Sequence, residues 1–208
     1  MYPEMPIETF LARLASSAPE PGGGAAAALA AATGAALVSM VANLTIGKEK
    51  YAAVQGEMEE ARARADALRE DLVAAIDRDA ESFRRVMDTY KLPRETDEQK
   101  AARKRAIQEA LRDATRVPAE VVRLCREVAT WSQATAEKGN AQVITDAAIA
   151  AVLADAAAQS AALNVKINVG PIGNPVFTGP LWAEISEGLE EIRAVRDEVL
   201  KLTYDRLG

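Results

Sequence analysis

This sequence predicts an all-α fold, a multi-helix bundle built on an Ala-rich central helix and one long helix. Three observations carry that reading. Ala, Glu, Arg, Leu and Lys make up much of the chain while aromatic residues are only 4%, a balance that favours helix over strand. Ala25 to Ile46 runs without a charged side chain, and small residues suit a helix at the centre of a bundle, where backbones approach one another. Tyr51 to Lys91 contains no Pro and only Gly56, so one long helix spans it. The 208 residues fit a single domain, 1–208, long enough to bury a true core.

Pro6 to about Leu14 reads as a short helix lying against the bundle, with Ile7, Phe10, Leu11 and Leu14 on one face at spacings of three and four. Ser16 to Gly24 is a loop punctuated by Pro19 and Pro21, and the Ala-rich helix then runs to about Gly47, its C-terminal cap. The long helix carries an apolar seam through Met58, Ala65, Leu68, Leu72, Ile76, Phe83, Val86 and Tyr90, and Pro93 ends it. Thr96 or Asp97 caps the next helix, which bears Lys100, Arg103, Lys104 and Arg105 before Ile107, Leu111 and Val117. Pro118 is expected to kink that helix or to begin a new piece. Gly139-Asn140 makes a turn and an N-cap for a second Ala-rich helix, Ala141 to about Asn164. Residues 169–180 hold Gly170-Pro171, Gly173-Asn174-Pro175 and Gly179-Pro180 and read as a loop. A final helix from Leu181 to about Leu207 sets Leu189, Ile192, Val195, Val199 and Leu202 on one side and dense charge on the other.

The formal charge of −6 is offset by no basic block, which argues against nucleic acid or an anionic membrane surface as partner. A membrane span is the rival reading of the uncharged run, which is long enough to cross a bilayer. Its Ala content, with Thr33, Ser39, Asn43 and Thr45 interspersed, points instead to a packed core helix, because Leu, Ile, Phe and Val drive insertion. Cys125 stands alone, so neither an internal disulfide nor a cysteine metal cage is available, and a reducing compartment, the cytoplasm, is expected. Met1-Tyr2-Pro3-Glu4 opens without the basic and apolar regions of a secretory leader. Histidine is absent, which removes Ser-His-Asp and Cys-His nucleophile systems, His-containing zinc sites and imidazole general bases. Acid–base work falls to carboxylates, Lys, Tyr or Cys125, and no metal is expected.

Gly22, Gly23 and Gly24 stand ahead of the Ala-rich helix. Glycines let a ligand approach the backbone closely, and free N–H groups at a helix start favour negative charge, so a ligand site is expected there. Asp79 occupies the seam of the long helix, three residues after Ile76 and four before Phe83, where the period calls for an apolar side chain. A core-facing carboxylate is costly unless it is paired or used. Asp77 points roughly to the opposite side, so Asp77 and Asp79 are not read as a pair. Asp146 repeats the pattern on its own helix, three residues after Val143 and four before Ala150. Each of these inward carboxylates either serves a ligand, its pKa raised by burial, or caps a neighbouring helix or pairs with Arg or Lys. Lys48 either attracts an anionic ligand group or completes the favourable charge at a helix C-terminus. Asn140 reads first as a cap. Asn164 and Asn168 flank Val165-Lys166-Ile167, where side-chain amides bind a heterocycle or close the helix end.

Several short motifs in register then resemble one family. They are Pro21-Gly22-Gly23-Gly24, the run Met40 to Lys48, Asp77-Arg78-Asp79-Ala80-Glu81-Ser82-Phe83, Gly139-Asn140, Asp146, and Asn164-Val165-Lys166-Ile167-Asn168. Together they resemble the cyclodeaminase/cyclohydrolase family of folate one-carbon metabolism over nearly the whole chain. The resemblance implies an all-helical homodimer with tetrahydrofolate as the carrier of the reacting carbon and no other cofactor. It places the catalytic carboxylate at Asp79 and substrate binding at Gly22, Gly23, Gly24, Lys48, Asn140, Asp146, Asn164 and Asn168. Two departures stand out: Ala25 follows the glycines where many relatives carry Ser, and the Gly/Pro-rich segment 170–180 replaces a more acidic one.

The reaction implied is hydrolysis of 5,10-methenyltetrahydrofolate or formation of that compound from 5-formiminotetrahydrofolate with release of ammonia. Asp79 ionised can orient a water and accept its proton; protonated, it can serve the departing ammonia. The non-enzymatic alternative is a helical dimer used as a scaffold or folate-binding module, its inward carboxylates merely structural.

Overall fold

The computed structural model describes residues 2–208. Six α-helices carry the described fold, with no strand among the described residues: α1 Ile7–Leu14, α2 Gly23–Asn43, α3 Gln55–Tyr90, α4 Asp97–Lys138, α5 Ile144–Val169 and α6 Pro175–Leu207, with short 3₁₀ turns at Tyr2–Glu4, Glu49–Val54 and Ala141–Val143. α2 packs against α3, α4 and α5, and α6 closes the far side against α4 and α5.

Alanine sets the spacing of the central layer. Ala28, Ala31 and Ala35 of α2 and Ala150, Ala154 and Ala158 of α5 are all buried, and a Cβ at Gly34 would stand 3.2 Å from the Ala150 carbonyl oxygen. Small side chains therefore let two helices approach almost backbone to backbone. The two run antiparallel, since Gly23 lies near Asn164 while Asn140 bonds to Leu44 and Thr45. α2 and the segment 141–169 are each long and apolar enough to cross a bilayer, with mean hydropathies of 1.9 and 1.5, and half or more of each is buried inside the bundle.

Four elements differ from the sequence expectation. In α1 Phe10 is buried and packs edge-on against Tyr2 with ring centroids 6.4 Å apart, but Ile7 and Leu11 of the expected apolar face are exposed. α2 ends at Asn43 rather than Gly47, and Gly47 instead takes φ 76° in the turn beyond it, a left-handed conformation that suits glycine. α4 passes unbroken through Pro118. Proline has no N–H to give the Ala114 carbonyl, and Nδ2 of Asn168 on α5 donates to that oxygen instead at 3.0 Å. The breaker-rich segment is a loop only as far as residue 174. Asn174 caps α6 by accepting from Phe177 N–H at 3.3 Å, Pro175 sits in the first turn, where its missing N–H costs nothing, and Pro180 frees only the carbonyl of exposed Val176.

The expected cap of α4 is a full capping box: Thr96 Oγ1 accepts from Gln99 N–H at 3.2 Å, and Gln99 Oε1 accepts from Thr96 N–H at 3.2 Å. The carboxylate that the core does bury is Asp155, which the seam argument missed. It pairs with Arg196 of α6 and accepts from Gln159, the paired state that burial demands.

Candidate active site

The start of α2 opens into a cavity of about 420 Å³ walled by α3, α4 and α5. Asp79 projects into it from α3. Its position follows from the missing Cβ of Gly24: a methyl there would fall 2.1 Å from Asp79 Oδ1 and 2.5 Å from its Cγ. The carboxylate therefore lies on the first turn of α2, where the Ala25 N–H donates to it. Burial pushes the Asp79 carboxyl above the usual carboxylate range, opposed by that hydrogen bond.

The anion favoured by this helix start is thus a side chain of the protein itself. Gly24 serves to admit Asp79, while Gly22 and Gly23 line the cavity beside it. Position 25 contributes its backbone N–H, while its side chain is fully buried, so Ala there supplies the same bond as Ser.

Beyond Asp79 the α3 seam leaves the core. Phe83, Met87 and Tyr90 are partly exposed and form an apolar wall of the cavity. Phe83 and Tyr90, read as core from their period, line the cavity instead, and Tyr90 is covered on one face by the guanidinium of Arg103. Asn164 and Asn168, one turn apart on α5, form the opposite wall with Ile167. The loop ahead of α2 is pinned by Glu20, whose Oε1 accepts from Arg84 of α3 at 2.8 Å and whose carbonyl accepts from Arg13 at 3.1 Å. Neither Glu20 nor Arg84 carried a signal in the sequence. Asp77 faces away, as expected, and accepts from the Tyr2 N–H at 3.0 Å.

A cationic groove adjoins the mouth. Arg94, Lys100, Arg103 and Lys104 line it with Ile107 and Gln108. Arg103 lies over the Tyr90 ring and donates to its carbonyl, and Gln108 donates to the Pro171 carbonyl, so groove and cavity share a rim. The chain is acidic overall, yet Lys100, Arg103 and Lys104, close in sequence at the start of α4, join Arg94 in one basic block.

The sequence profile of the formiminotransferase-cyclodeaminase family matches residues 6–202. The chain belongs to this family. Its members similar to this chain include the methenyltetrahydrofolate cyclohydrolase of Methylorubrum extorquens, 48% identical with 97% of each chain covered. The formimidoyltransferase-cyclodeaminase of Rattus norvegicus is 30% identical, and the match covers 90% of this chain but 35% of that longer protein. In structure, the formiminotetrahydrofolate cyclodeaminase of Thermotoga maritima superposes with a TM-score of 0.89 at 30% identity, covering 99% and 98% of the two chains.

The family motifs fall into two groups in one subunit. Gly22, Gly23, Gly24, Asp79, Asn164 and Asn168 surround the cavity. Lys48, Asn140 and Asp146 do not; they sit at the other end of α2, about 30 Å away at 1.5 Å per residue. Asn140 is buried and structural: its N–H and Nδ2 donate to Thr45 Oγ1 and the Leu44 carbonyl at 2.9 and 3.1 Å, and its Oδ1 accepts from Gln142 N–H at 3.2 Å. Asp146 is half-buried in the first turn of α5, where the helix favours negative charge. Lys48 is exposed beyond the end of α2. Cys125 is buried and its thiol is pushed up to about 12, which removes it from acid–base work near neutral pH. Among the described residues no group of three His, Cys, Asp or Glu side chains is placed to hold a metal ion.

Proposed function

We propose that this chain is a methenyltetrahydrofolate cyclohydrolase whose acid–base group is Asp79 and which works as a homodimer. It is a folate one-carbon enzyme, and the family supports hydrolysis of the methenyl bridge or its formation by deamination. The observation that carries the assignment of Asp79 is its setting: a raised-pKa carboxylate with one backbone bond, lying on a helix start and open to a cavity of folate-ring dimensions.

The methenyl carbon is an amidinium centre bridging two nitrogens. Water adds to it, one proton leaves, and one carbon–nitrogen bond opens to leave a formyl group on the other nitrogen. Asp79 ionised orients the water and takes the proton as the carbon becomes tetrahedral. The apolar wall of Phe83, Met87 and Tyr90 stacks against the fused ring, and the glutamate carboxylates leave at the Tyr90 rim beside the cationic groove. Carboxylate and water suffice, so no cofactor beyond the tetrahydrofolate carrier enters.

The cyclodeaminase reading is favoured by the superposition on the Thermotoga protein. There the second of the two bridging nitrogens, outside the pterin ring, attacks the formimino carbon, ammonia departs with a proton from Asp79, and the methenyl bridge closes. Following the methenyl chromophore separates the two. Its decay from added methenyltetrahydrofolate above the uncatalysed rate is expected; its appearance from formiminotetrahydrofolate with ammonia release reverses the assignment, and neither outcome in the wild type ends the reading.

The dimer rests on an uncovered apolar face. Met40 of α2, Leu44 just beyond its end and Ile149, Val152, Leu163 and Ile167 of α5 are exposed, and the two helices adjoin. A two-fold axis perpendicular to these helices makes the contact isologous and sets the helices of the two copies antiparallel. The partner's Lys48 then approaches the Asp79 cavity, which reunites the two groups of family residues. Sedimentation at micromolar concentration should give twice the chain mass, and Leu163→Glu with Ile167→Glu should give the monomer. The chain folds as one helical domain, 1–208, and we place it in the cytoplasm, where the lone Cys125 stays reduced.

A further inference from the structure

Asn168 reaches the cavity with its amide already oriented. Nδ2 donates to the Ala114 carbonyl at 3.0 Å, and a carbonyl accepts only from the NH₂ arm of an amide. That carbonyl is available because Pro118, four residues on in an unbroken helix, has no N–H to give it. Pro118 and Ala114 are both buried, and the released oxygen takes its hydrogen bond from the asparagine. The other arm, Oδ1, takes no hydrogen bond among the described residues and is not among their buried unpartnered atoms. It is open to the cavity that Asn168 lines. Asn164, one turn earlier, is fixed likewise, its Nδ2 donating to the Ser160 carbonyl at 3.0 Å.

We infer that Pro118 is a positioning residue: by leaving the Ala114 carbonyl free it locks the Asn168 amide, so that Oδ1 accepts from the N–H edge of the substrate's pterin ring. The inference rests on the folate reading above. An amide free to turn would offer its NH₂ half the time and meet the ring's 2-amino and N3–H groups donor to donor. A helix-interior proline costs stability that Ala would restore, and the orientation of Asn168 is what that cost secures.

The test is binding, read by titration of tetrahydrofolate and of its analogue with methyl in place of the 2-amino group, beside turnover of methenyltetrahydrofolate. Pro118→Ala should melt at or above the wild-type temperature. It should bind tetrahydrofolate about tenfold more weakly, the size of one ligand hydrogen bond, raise KM alike, and leave kcat within about threefold. Wild-type preference for the amino over the methyl compound should largely disappear. Asn168→Ala should show the same losses, and Pro118→Ala added to it should cost nothing more. Should Pro118→Ala not fold, Asn168→Asp supplies the readout: a carboxylate presents an acceptor in either orientation, so the preference for the amino compound should survive without the bond to Ala114, and its loss overturns the inference. Unchanged affinity and preference in a folded Pro118→Ala, or losses that multiply in the double variant, overturn the inference while leaving the folate reading intact. A wild type that turns over nothing but binds tetrahydrofolate with the stated preference removes the hydrolase reading alone, and one that binds nothing removes both.

Discussion

The two ends of α2 use the same vocabulary to opposite effect. Each brings together glycine, asparagine and a carboxylate from elements distant in sequence. At the C-terminal end Asn140 spends every polar group on the chain, donating to Thr45 and Leu44 and accepting from Gln142 and Tyr51. At the N-terminal end the account is left open: Asp79 receives one backbone N–H, and Asn164 and Asn168 each use one arm of the amide. Closed hydrogen bonding builds a joint between helices; acceptors left facing a cavity build a site.

The contrast breaks most visibly at Asp79. Asp79→Asn should lower kcat by about 10²–10⁴, the range of a lost general acid or base, with unchanged helical content. The wild-type rate should rise with pH through a pKa above the ordinary carboxylate range if Asp79 is a base in hydrolysis, and fall through the same pKa if it is the acid of deamination. Stability carries the matching sign. A carboxyl whose folded pKa is raised holds its proton more tightly in the native state, so ionisation costs stability as pH climbs from its unfolded value of about 3.9 to the native one. Asp79→Asn should therefore melt higher than wild type above that window and equal to it below, which thermal scans across pH will read.

Gly24 and Asn140 test the two ends side by side. Gly24→Ala forces a methyl onto the Asp79 carboxylate and should cut kcat about a hundredfold by displacing the base from its geometry. Gly56→Ala, where an added methyl meets nothing within 4 Å, is the matched control and should leave the rate unchanged. Asn140→Ala removes side-chain bonds to Leu44, Gln142 and Tyr51 and should cost about 3 kcal/mol of stability, near 1 per bond, while the rate per folded molecule stays close to wild type. A large kcat loss without destabilisation in Asn140→Ala would erase the distinction between the ends.

What the sequence revealed tracks this distinction. The helices were legible because alanine content, the seam of α3 and the cap at Thr96 or Asp97 are local signals. Asp79 was legible as a carboxylate at an apolar position, and the seam argument and the family resemblance met on it independently. The same argument missed Asp155, since periodicity sees neither the guanidinium of Arg196 nor the hydrogen bond that makes burial tolerable. Pro118 was read as a break because its price is local, whereas the group that offsets it, Asn168, is fifty residues away. Lys48, Asn140 and Asp146 were grouped with Asp79 by the family resemblance; within one subunit the 21 residues of α2 separate them, and only the proposed dimer rejoins them.

The smallest expected effect concerns charge at the two ends. Lys104 lines the groove beside the cavity mouth and makes no ion pair among the described residues, while Lys48 lies exposed at the remote end. If a single subunit supplies the whole site, Lys104→Gln should raise KM for methenyltetrahydrofolate about two- to fivefold at low ionic strength, with kcat unchanged, and Lys48→Gln should do nothing. Exposed charge acts weakly and is screened within about 10 Å at 0.1 M salt, so the Lys104 effect should fade as salt is added. An equal or larger KM effect from Lys48→Gln, lost in the Leu163→Glu/Ile167→Glu monomer, would mean that the partner's Lys48 reaches the cavity and that the two ends belong to one site shared across the dimer.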